Sequence, residues 1–262
     1  MFEQAYHEYL LHLNEENRKE RYSGKEGWYH ASGAGFCSRK LYFESVEKVK
    51  PTNLPNKRSM RIMGLGTAIH KELQDALIYY NNIYNNKDNN NKVNNNKVNI
   101  AKDNLLNFHT EGEIKLGELN VRGYYDVVME DLSNSKESPL VKLYDIKTIS
   151  NFGYRKKFPR NLVLSEPSRN HYMQIATYGL AVKERFGNLD SMDLIYYNKD
   201  DSRMKRQNVP LDYLTKARMY WHNINEEHAK GLPLFNIGTS PTQEWMCGYC
   251  SFLDHCKPPK YK

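Results

Sequence analysis

The sequence is poor in cysteine, and it has no long apolar run. Only Cys37, Cys247, Cys250 and Cys256 occur among 262 residues. In a reducing compartment these are not expected to pair as disulfides. Nothing approaches the ~18 consecutive apolar residues that a membrane span needs. The first twenty-one residues are charged and amphipathic rather than secretory in pattern. A cytoplasmic protein, or one inside a virus-infected host, is therefore expected, with no membrane association. No G-x-x-x-x-G-K-[ST] phosphate loop occurs, since Gly24-Lys25 lacks the spacing. The chain is thus expected to carry no nucleotide-driven motor. Repeats and a second large domain are also missing.

Aromatic residues and positive charge are present in quantity. Twenty tyrosines and an apolar fraction of 39% suffice for a core, and the formal net charge is +7. A basic chain is drawn to polyanions, of which nucleic acid is the commonest in a cytosol. Residues 81–107 form a low-complexity run of Asn and Lys. Such a run buries too little apolar surface to offset its ordering, so a surface insertion is expected there.

Phe2, Tyr6, Tyr9, Leu10 and Leu13 recur at helical spacing and predict a helix over residues 2–20. A Gly-rich connector covers residues 23–35, and short helical residues follow over 37–47. Ile69, Leu73, Ala76 and Leu77 mark a helix over 67–80, just after Gly64 and Gly66. The period then changes to two. Strands are predicted at 113–116, 119–129 and 141–148, with a tight turn at Gly117-Glu118. A polar loop at 131–139 and a basic irregular segment at 151–170 separate further elements. A helix over 172–186 ends at Gly187. A strand at 192–197 with a partner at 204–209, a helix over 211–230 and a cysteine-bearing tail complete the chain. The order is helix, three strands, helix, strand.

Asp145-Ile146-Lys147 closes the third strand. Residues two apart share a face, so Asp145 and Lys147 enter one space behind the apolar Val141 and Leu143. A carboxylate there can hold Mg²⁺ or Mn²⁺, which take hard oxygen ligands. The lysine can position or activate a water. Asp126 lies on the preceding strand and can share the metal, as phosphodiester hydrolysis requires. A surface Asp–Lys pair of little consequence is the ordinary explanation of such a triplet. His70 lies at the edge of its helix stripe, where packed or exposed histidines are common. Gln174 and Tyr178 are four apart and share a helix face. Arg155, Lys156, Lys157 and Arg160, interleaved with Tyr154 and Phe158, suit a single strand held by phosphate contacts and stacking.

Cys247-Gly248-Tyr249-Cys250 is a C-x-x-C, and Cys256 follows five residues later; Cys37 lies more than 200 residues upstream. Four thiolates suit zinc or an iron–sulfur cluster, with zinc the commoner structural choice.

The ordered set Gly64-Leu65-Gly66-Thr67-Ala68-Ile69-His70, Asp126, Asp145-Ile146-Lys147 and Gln174-Ile175-Ala176-Thr177-Tyr178 resembles the RecB-like branch of the PD-(D/E)XK nucleases. The resemblance covers most of the chain. It implies an α/β, restriction-endonuclease-like core with a mixed central sheet flanked by helices. It further implies a metal held by His70, Asp126, Asp145 and Ile146, Lys147 serving the attacking water, and Gln174 and Tyr178 lining the cleft against the DNA strand. Glu113 matches an acidic position of that branch. Residues 32–43, with Ser32, Cys37, Arg39 and Tyr42, resemble the opening of AddB-type subunits and CRISPR-associated spacer-acquisition nucleases. That likeness implies a four-iron, four-sulfur cluster on Cys37, Cys247, Cys250 and Cys256. The cluster would form a small appendage joining the N- and C-terminal segments. The expected organisation is one nuclease domain: residues 1–63 with the first cysteine, a core over 64–230, and a tail over 231–262. The implied activity is exonucleolytic on single-stranded DNA ends, with 5′→3′ polarity. Recombination, repair, phage replication and CRISPR adaptation are the settings, and a helicase or integrase-type protein is the expected partner. A DNA-end-binding module with a decayed site is the rival.

Overall fold

The structure, a computed structural model, describes residues 1–22, 27–84, 106–133, 138–159, 168–234 and 244–256. Residues 85–105 of the Asn/Lys run, Arg160, and residues 235–243 and 257–262 of the tail lie outside them. Among the described residues no helix is long and apolar enough to cross a membrane.

The β-branched and aromatic runs after residue 105 form a hairpin. Strand β2 (Leu106–Leu116) pairs antiparallel with β3 (Val121–Asp131) at both ends, interrupted only at Glu111. The expected tight turn is a 3-10 turn over Gly117–Leu119, closed by Asn120 at φ 54, where a short polar side chain tolerates the left-handed region. Strand β4 (Leu140–Ile149) runs antiparallel to β3, and β5 (Ser191–Asn198) parallel to β4. Strand β6 (Met204–Val209) closes that edge antiparallel to β5. A two-residue strand the sequence does not announce, β1 (Tyr29–His30), pairs parallel with Val121 and Arg122 of β3. The sheet is six-stranded and mixed.

Because β2 occupies one edge of β3 throughout, β1 and β4 share the other. β4 pairs only residues 127–131, and β1 only 121–122. Between them, residues 123–126 lack a strand neighbour on that side among the described residues. That gap holds the site.

Helix α5 (Arg169–Phe186) packs on the sheet and carries α6 (Tyr213–Ala229) on its back. A methyl added at Gly179 would stand 2.7 Å from Met192 Sδ and 2.8 Å from Leu214 Cδ2, so α5 lies pressed between β5 and α6. Trp221 is fully buried there and donates its indole N–H to Thr177 Oγ1 at 2.9 Å. Truncating such a residue costs roughly 3–5 kcal/mol.

Helix α3 (Lys57–Tyr84) begins ten residues before the apolar stripe predicts. Asn56 explains the early start: its Oδ1 accepts the N–H of Ser59 at 2.9 Å, satisfying a first-turn donor. Helix α1 (Phe2–Tyr22) then packs on those turns, with Leu10 buried near Gly64 and Arg61 paired to Glu3. The far end of α3 is clasped to β2. Asn81 Nδ2 donates to the Phe108 carbonyl at 2.6 Å, and the Phe108 N–H donates to Asn81 Oδ1 at 3.0 Å.

The segment expected to be irregular contains a second departure, helix α4 (Asn151–Lys157). Ser150 caps it by accepting the Gly153 N–H. Its first turn is also tied to the β5–β6 turn: the Asn151 N–H donates to Asp200 at 2.7 Å, and Arg203 reaches Asn151 Oδ1 at 3.2 Å. Helix α2 (Ser38–Ser45) and the short α7 (Leu253–Cys256) complete the helices of the described residues.

Candidate active site

The site forms where β3 and β4 part. Their ladder ends at Val127 and Tyr144, so its next rung would set Asp126 opposite Asp145. That rung is replaced by a side chain: the Ile146 N–H donates to Asp126 Oδ2 at 2.6 Å. The carboxylate thus satisfies a peptide donor the missing ladder would otherwise leave unpaired. Ile146 has an apolar side chain, so its carbonyl is the one group it can offer a metal.

Asp145 is 1% exposed, and Lys147 Nζ stands 2.7 Å from its Oδ2. Among the described residues, neither oxygen of Asp145 receives a well-directed hydrogen bond. Burial is the main cause holding both Asp145 and Asp126 well above the usual carboxylate range, with Lys147 opposing it. Their mutual repulsion adds to the rise of Asp145. A buried carboxylate with under-satisfied oxygens beside a half-buried one is a donor set of the type a hard divalent cation takes.

Lys147 also donates to Gln174 Oε1 at 3.0 Å, and Gln174 Nε2 donates to the Tyr178 hydroxyl at 2.8 Å. The i, i+4 spacing on α5 makes this relay. Tyr196, opposite Lys147 across the β4–β5 ladder, has its hydroxyl 2.9 Å from His171 Nδ1, one turn before Gln174.

Helix α3 supplies the opposite wall. A methyl at Gly66 would stand 2.8 Å from Thr148 Oγ1, so the glycine permits α3 to lie against the end of β4. One turn later His70 places Nδ1 3.7 Å from Asp126 Oδ2. Burial first, and then Lys147, hold its pKa below the ordinary value, which keeps the imidazole neutral and able to act as a ligand. The cleft between this wall and the strand ends has a volume of about 730 Å³ and is lined by Gly66, His70, Gln74, Glu111, Thr148 and Lys199.

Glu111 was not among the sequence candidates. It lies opposite Asp126 by the β2–β3 register, in the left-handed region at φ 51. Such a conformation costs of order ~1–3 kcal/mol in a non-glycine residue. The buried Gln74 holds it, donating to Glu111 Oε1 at 2.6 Å. Glu111 also raises the pKa of Asp126. Glu113, the acidic residue expected here, instead lines a separate recess with Lys115, Tyr125 and Arg185. No sequence signal distinguishes the two, because the backbone inversion at Glu111 decides which carboxylate meets the cleft.

Of the expected DNA contacts, Arg155 and Lys156 are exposed on α4. Lys157 turns inward instead. It donates to Ser168 Oγ at 3.3 Å and lies 4.6 Å from the Tyr196 ring centre, and burial pushes its pKa down to about 8.

The four cysteines are brought together. Cys37 precedes α2, Cys247 and Cys250 flank the end of a 3-10 segment (Glu244–Tyr249), and Cys256 ends α7. All four line one cavity of about 120 Å³. Burial raises the Cys37 and Cys250 thiols. Among the described residues, no three His, Cys, Asp or Glu side chains close tightly enough to hold a single metal ion. The tail is docked by protein contacts as well: the Thr52 and Asn53 N–H groups donate to the Ser251 carbonyl, and Asn53 Nδ2 to that of Cys250 at 3.1 Å. A buried chain, Tyr29–His228–Ser38, fixes the turn after Cys37. The Tyr29 hydroxyl lies 2.7 Å from His228 Nδ1, and Ser38 Oγ 3.1 Å from Nε2.

A mixed α/β sheet flanked by helices, with paired carboxylates and a lysine at its opening strands, defines a restriction-endonuclease-like nuclease core. The chain belongs to the PD-(D/E)XK nuclease superfamily, whose model matches residues 92–257. That family places it among phosphodiester hydrolases that act on DNA and generally use divalent metals such as Mg²⁺ or Mn²⁺. Among solved structures it is similar to the protein designated SSO0001. That match is at 20% identity and a TM-score of 0.50, covering 96% of both chains, and it bears on the fold alone. A protein from Eubacterium rectale provisionally designated an exonuclease matches at 13% identity and a TM-score of 0.33, over 52% of this chain and 51% of its own. No curated protein matches significantly.

Proposed function

We propose that the chain is a metal-dependent exonuclease that degrades single-stranded DNA from an end, with 5′→3′ polarity, as one nuclease domain whose tail over residues 231–262 holds an iron–sulfur centre. The observation that carries the catalytic part is the placement of Lys147 between Asp145 at 2.7 Å and Gln174 at 3.0 Å, beside Asp126 where β3 and β4 part.

Asp126 and Asp145, with His70 and the Ile146 carbonyl, would hold Mg²⁺ or Mn²⁺. The cation supplies polarisation of a phosphoryl oxygen and a lowered pKa for water. The protein's own groups do the rest. Lys147 Nζ, at the edge of the carboxylate pair, positions or activates the attacking water against the phosphorus. Gln174, its amide turned by Tyr178, fixes the Lys147 rotamer. Helix α3 walls the cleft and limits it to a strand that can enter between His70 and the strand ends. Arg155 and Lys156 hold phosphates outside it.

For the thiols we propose a four-iron, four-sulfur cluster on Cys37, Cys247, Cys250 and Cys256, with zinc as the competing occupant. Zinc draws its sulfurs to about 2.3 Å from one point. All four thiols line one cavity, and the likeness of residues 32–43 and of the C-x-x-C tail to iron–sulfur nucleases supports the larger group. Its role would be structural, joining the segment before the core to the tail. Recombination, repair, phage replication or CRISPR adaptation would supply the ends, inside a cell, and a helicase or integrase-type protein would supply the motor.

The test is digestion of single-stranded DNA labelled at each end in turn, with Mg²⁺ or Mn²⁺, using anaerobically purified protein and Lys147→Ala alongside. Metal-dependent loss of label that the variant abolishes is the expected result, and the product ladders give polarity. Intact DNA under every condition, with binding retained, would replace the enzyme by a DNA-end-binding module.

A further inference from the structure

Helix α4 follows the catalytic strand directly and divides its side chains cleanly. Tyr154 is buried, and Lys157 and Phe158 are partly buried against Tyr196. Phe152, Arg155 and Lys156 are exposed, and the i, i+3, i+4 spacing sets them on one face. Phe152 is 80% exposed, five residues beyond Lys147 and four beyond Thr148, which lines the cleft. A single exposed apolar residue usually needs no explanation. This one is held out rather than left out. The Ser150 cap, the Asp200 carboxylate on the Asn151 N–H and the Arg203 bond to Asn151 all fix the turn that bears it. Lys199, in the turn that anchors α4, also lines the cleft, and its N–H donates to the Ile149 carbonyl at 2.9 Å. Phe152 therefore stands exposed on a braced turn whose two anchoring strand ends, at Thr148 and Lys199, line the cleft.

We infer that Phe152 is a stacking platform for one unpaired base of the DNA strand at the cleft mouth, with Arg155 and Lys156 on the flanking phosphates. A rigid aromatic face with two cations on the same helical surface is complementary to a base and its backbone, and stacking is open only to a base out of its duplex. Phe152 would thus be a specificity-determining residue that favours single strands. The inference rests on the nuclease reading and adds to it which side chain selects the strand.

The experiment measures binding of a short fluorescent single strand in the Asp145→Asn background, which keeps the DNA intact. One abasic position is moved along the strand. With Phe152 present, one register should weaken binding about tenfold. With Phe152→Ala, the intact strand should bind about tenfold more weakly and that register should lose its effect; Phe152→Trp should restore both. Arg155→Ser with Lys156→Ser should reduce the slope of log affinity against log salt by about 1.4, leaving the abasic register in place. An unchanged abasic profile in Phe152→Ala overturns the inference and assigns the face to a protein partner. Digestion by the unsubstituted protein is run in parallel. Cutting without any Phe152 dependence rejects the platform alone, whereas stacking without cutting keeps the platform and rejects the nuclease.

Discussion

The carboxylate cleft and the thiol cavity are both clusters of metal-ligand residue types, yet the chain positions them by different means. The cleft is set by strand register. Asp126 and Asp145 face each other because β3 and β4 pair up to Val127 and Tyr144 and then part. The thiol cavity is set by loops and short helices from the two ends of the sequence, tied by Asn53, His228 and Ser38. Register is enforced by the whole buried sheet, whereas a loop clasp is enforced by a few hydrogen bonds. Substitutions in the cleft should therefore remove chemistry and leave the fold. Substitutions at the thiols should loosen one region and touch chemistry only indirectly.

The sharpest test of that contrast is Lys147→Ala. Loss of a positioned proton-transfer group costs roughly 10²–10⁴-fold in rate, so single-turnover DNA cleavage should fall by that much while the circular dichroism spectrum stays unchanged. A large fall in Glu111→Gln should follow on the metal side. Loss of an outer partner lowers metal affinity roughly 10–100-fold, read as a higher Mg²⁺ concentration for half-maximal cleavage. Glu113→Gln should leave that concentration where it was, and equal effects of the two would reject the assignment of Glu111 to the cleft.

The carboxylate pair should also report on stability. Asp126 and Asp145 have raised pKa values in the folded protein, so the folded state holds protons that the unfolded state releases. Their contribution is full below the unfolded value of 3.8 and is lost as pH rises through the folded values, about 6 and about 7. In chelator, the melting temperature should drop by several degrees from about pH 5 to about pH 8, at roughly 2–4 °C per kcal/mol for this size. Asp145→Asn should flatten that slope, and Mg²⁺ should recover the loss at the alkaline end. A melting temperature that rises with pH in chelator would contradict the burial described. The smallest effect on catalysis is expected from Cys250→Ser. It should abolish iron-dependent absorbance near about 400 nm and hasten proteolysis of the tail, with cleavage falling only as far as the folded fraction falls. Abolished cleavage in a folded protein would erase the distinction between the two regions.

The same contrast explains how much could be read from the residues. Strand periodicity locates β3, β4 and β5, so local rules pair Asp145 with Lys147 on one strand face and Gln174 with Tyr178 on one helix face, while only the family resemblance implies that the two pairs share a cleft. What local rules miss depends on distant partners. Glu111 meets the cleft because its backbone inverts and Gln74 waits there. Lys157 turns inward because Tyr196 and Ser168 offer it a place. β1 is two residues long and exists only because β3 has a vacant edge beside it. Helix α4 needs Asp200 as well as its own cap.

The Asn81 clasp separates the length of the chain from the register of the site. Its carboxamide offers Phe108 one donor and one acceptor, as a neighbouring strand would, three residues before Glu111. Whatever number of residues lies between positions 84 and 106, the chain re-enters the sheet through that same rung. The register of Glu111 against Asp126 therefore depends on the asparagine at position 81 and not on the count of residues that precede Leu106.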